Sequence, residues 1–193
     1  MAGIVLAGGK SERMGLDKAT LPLSGTTMLD RAVQNLRQVT DEVIVVADRA
    51  DKYDLPDSTL IIEDRYPETG PLGGILTGLE RLGIGYHLVV ACDMPSVKPD
   101  LLHLLLELAE GFDAAIPCVS EKLEPLCAAY RHTCILVFRE ILLGGRDYSV
   151  HRAVERITFR TVLEPQIRAV DPDLQSFINV NTLEDYERVQ SSG

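Results

Sequence analysis

The apolar positions of this chain fall into short continuous runs separated by stretches with helical spacing. Ala2 to Ala7 (AGIVLA) is apolar throughout, β-branched at its centre, and stops at Gly8–Gly9. Runs of that length ending in glycine read as buried strands. Glu42 to Ala47 (EVIVVA), Thr59 to Ile62 and Tyr86 to Ala91 (YHLVVA) repeat the signal. Between them, Met28, Leu29, Ala32, Val33, Leu36 and Val39 fall on one helical face behind Thr27, a cap residue. Ile75 to Leu82 and Pro99 to Leu108 are also helical, with Pro99 suited to a first turn. Alternation of this kind predicts an α/β fold of three layers, helices covering both faces of a mixed, mostly parallel sheet.

The second half is less regular. Asp113 to Pro117, Glu124 to Tyr130 and Ile157 to Leu163 read as strands; Thr133 to Leu143 and Ser149 to Arg156 read as helices, with Gly144–Gly145 ending the first. Ala19 to Leu23 reads as extended, and Pro165 to Pro172 is the one candidate insertion. Phe177 to Thr182 leads into a last helix, Leu183 to Gln190, with Thr182 as cap and Asp185 in its first turn. No repeat or linker divides the chain, so residues 1–193 are expected to form one domain.

Composition narrows the classes of partner. The 193 residues are 46% hydrophobic and 25% charged, with a net charge of −10. That balance argues against nucleic acid or an anionic membrane as a partner. No run is long and apolar enough to span a bilayer, and no basic region or cleavage site precedes the first strand. Cys92, Cys118, Cys127 and Cys134 form no C-x-x-C pair and have apolar neighbours, as core thiols of a cytoplasmic protein would.

Three polar elements follow predicted strands, where ligands of open α/β sheets bind. The first is the loop through Gly8, Gly9, Lys10, Ser11, Glu12, Arg13, Gly15, Asp17 and Lys18; the others are Asp64 and Asp93. Glycines after a strand let backbone N–H groups approach an anion, and Arg13 and Lys18 add two cations. The spacing fits neither a Walker loop nor the dinucleotide fingerprint, and a tight turn would use the same glycines. Asp93 before Pro95 offers a hard oxygen suited to Mg2+, or caps a turn.

The string LAGGKSERMGLDK resembles the signature loop of the MobA-like nucleotidyltransferases, and within them the molybdenum cofactor guanylyltransferases. Gly70-Pro71-Leu72-Gly73-Gly74, Cys92-Asp93-Met94-Pro95, Glu124-Pro125-Leu126 and Asn179-Val180-Asn181-Thr182 resemble further motifs of that family, so the likeness runs from Gly3 to about Val189. It implies a nucleotide-diphospho-sugar-transferase-like, Rossmann-like fold, with an N-terminal half that binds the nucleoside triphosphate and a C-terminal half that binds the acceptor. It implies transfer of GMP from GTP to molybdopterin with release of pyrophosphate, and other enzymes of molybdenum cofactor biosynthesis as partners. Leu6, Ala7, Gly8, Gly9, Lys18, Asp48, Asp64 and Asp93 would contact the nucleotide, Arg13 the β- and γ-phosphates, and Lys18 the α-phosphate and leaving group. Asp93 would hold Mg2+, while Asn179 and Asn181, alternating on a strand, would face the acceptor. The small pair Gly73–Gly74 would let a base or ribose lie against the backbone. Asp64 would accept guanine N1–H and N2–H; at Asp48 the family often carries Asn. Gly145–Arg146 with Arg152 is a candidate for a substrate phosphate, and none of the histidines is given a catalytic role. Cytidylyl transfer to molybdopterin, nucleotidyl transfer to a sugar or cobinamide phosphate, and nucleotide binding without turnover are the alternatives. The cytidylyl relatives tend to carry LAAG and Asp-Gln-Pro where this chain has LAGG and Asp93-Met94-Pro95.

Overall fold

The computed structural model describes residues 1–8, 17–55, 59–145 and 147–191. The expected loop residues Gly9 and Arg13, and Arg146, lie outside the described residues. In chain order the elements begin with β1 (Ala2–Leu6), a 3-10 turn at Lys18–Thr20, and a short hairpin of β2 (Pro22–Leu23) and β3 (Thr26–Thr27). Next come α1 (Met28–Arg37), β4 (Glu42–Ala47), β5 (Leu60–Glu63), α2 (Pro71–Arg81), β6 (Tyr86–Ala91) and α3 (Pro99–Leu108). The second half holds β7 (Ala114–Val119), β8 (Lys122–Leu123), β9 (Cys127–Arg131), α4 (Cys134–Leu143), α5 (Val150–Val154), β10 (Phe159–Leu163), α6 (Glu164–Val170) and α7 (Leu183–Ser191).

Every residue of β1 is buried because it pairs on both edges, in parallel with β4 and with β6. The sheet runs β10–β7–β9–β6–β1–β4–β5, with β8 beside β7. Pairs β4/β5 and β7/β10 are also parallel, while β9 runs antiparallel to both β6 and β7. Side chains alternate along each strand, so the same strands feed two cores. Val5, Val45 and Val90 pack with Leu29, Leu36, Leu101, Leu105 and Ile167 beneath α1, α3 and α6. Ile4, Ile44 and Val89 pack with Leu72, Leu76, Phe138 and Val154 beneath α2, α4 and α5. The three-layer arrangement is as expected from the sequence.

Local chemistry explains the element ends. Thr27 and Asp30 form a reciprocal capping box that starts α1, Asp30 Oδ2 accepting the Thr27 N–H at 3.0 Å. Asp185 and Thr182 do the same before α7. Burial pushes the thiols of Cys92, Cys127 and Cys134 up to about 12; only Cys127 and Cys134 are the buried core thiols expected, while Cys92 and Cys118 are partly exposed.

Four expectations change. Ala19 to Leu23 is not one extended run: Asp17 caps a 3-10 turn by accepting the Ala19 N–H, and only Pro22–Leu23 pair as a strand. Glu124 to Leu126 precede β9 as a turn, since Pro125 has no N–H to give a ladder and Cys127 N–H closes onto Glu124 O at 3.1 Å. The stretch near Pro165 is no insertion but α6, with Pro165 in its first turn and Ile167 fully buried. Asn179 to Asn181 form no strand; the segment is instead held by Val180, whose N–H donates to Asp93 O at 2.9 Å.

Val180 is fully buried in a third, smaller cluster with Leu23, Met28 and Val189. The chain end thus folds back over the β2–β3 hairpin, and Tyr186 OH donates to Pro22 O. This return brings the Asn-x-Asn segment to the carboxyl end of β6. Among the described residues, no helix is long and apolar enough to cross a membrane.

Candidate functional site

Chain order along the sheet reverses at β1: β4 and β5 lie to one side, β6 to the other. The crevice outside the carboxyl ends of β1 and β6 is therefore where such a sheet receives a ligand. Asp93 sits there, two residues past β6, where Cys92 N–H donates to Leu6 O at 3.0 Å and fixes the turn to β1. Lys18 reaches the same point from the 3-10 turn. Its Nζ lies 2.6 Å from Asn181 Oδ1 and 3.9 Å from Asp93 Oδ2. The Lys18 and Asp93 side chains retain 16% and 28% of their exposure, enough for a ligand to reach both. Three residues from the start, middle and end of the chain thus converge.

Burial raises the Asp93 carboxyl above the usual carboxylate range, and the Lys18 charge and a backbone hydrogen bond pull it back only in part. A half-buried carboxylate with one distant cation is under-compensated, which suits a site that receives a further positive charge. Among the described residues no group of three or more His, Cys, Asp or Glu side chains is assembled to hold a metal. A single hard oxygen fits an ion such as Mg2+, which keeps waters and substrate phosphates as its other ligands, and does not fit a closed protein cage.

On the β4 side, Asp48 is exposed and pairs with Lys52 at 2.8 Å. The Lys52 hydrogen bond is the main reason its carboxyl is held below the usual range. Lys52 also reaches Asp17 Oδ2 at 3.1 Å, and the Tyr53 hydroxyl lies 2.9 Å from Ala7 O and 3.0 Å from Asp17 Oδ2. Asp64 follows β5, and its Oδ1 accepts from Tyr66 N–H and Thr77 Oγ1, each at 2.9 Å. That oxygen anchors the turn into α2. Ala7 N–H is spent on Val46 O at 2.9 Å, so amides for an anion begin no earlier than Gly8, which is exposed. Among the described contacts neither Asp48 nor Asp64 touches Lys18 or Asp93.

Gly73 and Gly74 do not form a ligand face. A Cβ at Gly73 would come within 2.7 Å of Tyr66 O, and one at Gly74 within 3.1 Å of Leu6 Cδ2. Both are buried, and they let α2 sit tightly on the preceding turn and on β1.

On the other side of Asp93 a cleft of about 780 Å3 opens, lined by Asn179, Asn181, Glu124, Tyr148 and His151 among others. Because Val180 points into the core, its two neighbours both turn to this cleft. Burial raises the Glu124 carboxyl, while His151 and Lys122 lower it. Arg152 is already paired with Asp147 at 3.2 Å. Lys52, Tyr53 and Glu124 were not singled out from the sequence as individual site residues. The contacts that distinguish the first two span 35 to 46 residues and leave no local pattern.

The sequence model of the MobA-like NTP transferase domain matches residues 3–165. A protein named molybdenum cofactor guanylyltransferase from Desulfosudis oleivorans is 36% identical over 195 residues, covering 100% of this chain and 95% of the relative. One named probable molybdenum cofactor guanylyltransferase from Methanosarcina acetivorans is 38% identical over 205 residues, covering 99% and 90%. The crystal structure of molybdopterin-guanine dinucleotide biosynthesis protein A from Archaeoglobus fulgidus superposes with a TM-score of 0.85 at 27% identity, covering 100% of this chain and 98% of that one.

Proposed function

The chain belongs to the MobA-like NTP transferase family, and from that membership we propose that it transfers GMP from GTP to molybdopterin, forming the guanine dinucleotide form of the cofactor and pyrophosphate. Its fold is the nucleotide-diphospho-sugar-transferase-like one of its structural neighbours. The observation that carries the reading is the convergence of Lys18, Asp93 and Asn181 outside the carboxyl end of β6, where Asp93 and Asn181 also line the 780 Å3 cleft. The cleft suits an acceptor, and the strand end of β1 a nucleotide.

The terminal phosphate of the pterin attacks the α-phosphorus of GTP in line. A new P–O bond forms, the bond to the β-phosphate oxygen breaks, and pyrophosphate leaves with that electron pair. A phosphate monoester is already largely ionised near neutral pH, so no protein base is required. Catalysis of this kind is positioning and charge neutralisation. Lys18 neutralises charge at the α-phosphate and on the leaving group. Asn181, whose Oδ1 holds the Lys18 ammonium, keeps its amide N–H2 for the acceptor phosphate beside Asn179. Arg13 supplies a planar fork for the β- and γ-phosphates. Leu6, Ala7, Gly8, Gly9, Asp48 and Asp64 frame the nucleoside and its phosphates in the N-terminal half, and the C-terminal half takes the pterin.

Asp93 would hold a divalent cation, proposed as Mg2+, which neutralises phosphate charge when bound. Lys18→Ala tests the assignment. Loss of a preorganised cation lowers kcat by about 10²–10³-fold, while circular dichroism and the melting temperature stay close to wild type because the side chain supports no core contact. Pyrophosphate release at the wild-type rate would refute it.

A further inference from the structure

In the loop that leaves β4 only Asp48 has been given a part in the reaction, yet two further side chains reach the residues that frame the nucleotide crevice. The Tyr53 hydroxyl lies 2.9 Å from Ala7 O, at the end of β1, and 3.0 Å from Asp17 Oδ2, immediately before Lys18. Lys52 Nζ lies 3.1 Å from the same Asp17 oxygen. The other Asp17 oxygen, Oδ1, accepts the Ala19 N–H at 3.1 Å. This carboxylate is therefore tied at both oxygens, one to the turn that carries Lys18, the other to the loop after β4. Lys18 in turn reaches Asn181 at 2.6 Å.

The aromatic ring of Tyr53 packs against the core beneath α1 and α3, so its hydroxyl is offered from a fixed body. A phenol has one proton for two acceptors here, so it is shared between a carbonyl and a carboxylate that Lys52 also neutralises. Two roles are separable on one side chain. The ring packs, and phenylalanine would keep that; the hydroxyl aligns, and phenylalanine would lose it.

We propose that Tyr53 is a positioning residue for nucleotidyl transfer: its hydroxyl holds Asp17 against Ala7 and, through Asp17, aims Lys18 at the phosphate being attacked. Lys52 cancels the Asp17 charge that would otherwise face a polyanion. The inference rests on the nucleotide site described under the proposed function. It extends that site to a loop outside the Lys18–Asp93–Asn181 centre.

Tyr53→Phe, Lys18→Ala and the double variant, assayed for pyrophosphate release and for binding of Mg·GTP, test it. Tyr53→Phe is expected to lower kcat by about tenfold and raise the KM for GTP, since misplacing one charged group by a fraction of an ångström costs that much. The KM for molybdopterin stays unchanged, and the melting temperature falls by no more than about 4 °C, the effect of one lost hydrogen bond in a chain of this size. In the Lys18→Ala background the same change costs less than about twofold, because its effect runs through Lys18. Wild-type kinetics in Tyr53→Phe would overturn the inference, as would an undiminished tenfold loss in the Lys18→Ala background. Wild-type enzyme that releases no pyrophosphate from GTP would overturn the functional reading and this inference with it.

Discussion

On β6, beside the crevice strand, His87 holds Gly83 O at 2.8 Å from its Nε2 while its Nδ1 is buried without a partner among the described residues. Burial is the main cause that lowers its pKa below 6.5, and the positive charges of the N-terminus and His132 act in the same direction. The folded state therefore refuses a proton that the unfolded chain accepts near pH 6.5. The stability that the neutral imidazole contributes is fully present above that pH and is lost as pH falls through the lower folded value. His87→Gln keeps a donor for Gly83 O but does not titrate. Urea denaturation at a series of pH values should show wild-type stability declining below about pH 6.5 and a shallower decline in the variant. The Lys18–Asn181 contact is the residue-scale counterpart for the proposed function: one ammonium is fixed at 2.6 Å to an amide 163 residues away, where the proposal places the substrate's charge.

At the scale of elements, α6 is the clearest test of how the second half is built. It lies against β7 and β10, and Ile167 is fully buried in the core that also holds Val162. Ile167→Ala is expected to destabilise the protein by about 2–5 kcal/mol in chemical denaturation, the cost of emptying a buried aliphatic site. A peripheral insertion would tolerate the change. The two prolines, Pro165 and Pro172, suggest an insertion in the sequence, but a proline is well suited to a first helical turn, where Pro165 sits. By contrast, β1, β4 and β6 were legible because strands buried on both faces are apolar at every position. Asp93 was legible because it follows such a strand, and Lys18 because the loop after β1 resembles a family's signature loop. Lys52 and Tyr53 were not, because their meaning lies in contacts across 35 to 46 residues rather than in neighbouring positions. Gly73 and Gly74 were misread for a related reason: smallness in a sequence does not say whether a ligand or a helix needs the room.

At the scale of the molecule, a chain of net charge −10 that is to take anionic substrates would, on the proposed reading, depend on the cations it places at the crevice. Lys18 and, across Asp17, Lys52 are the described ones. The C-terminal return over the β2–β3 hairpin matters for the same reason: it brings Asn181 onto Lys18, where the proposed reading has the two substrates meet. The central claim is guanylyl transfer, and one assay reads it directly. The protein is incubated with Mg2+ and molybdopterin and, separately, GTP, CTP, ATP or UTP, with product mass and pyrophosphate measured together. The account predicts a GMP adduct of molybdopterin with one pyrophosphate per adduct, formed from GTP in preference to the other three. A CMP adduct formed in preference, or GTP bound with no pyrophosphate released, would contradict it.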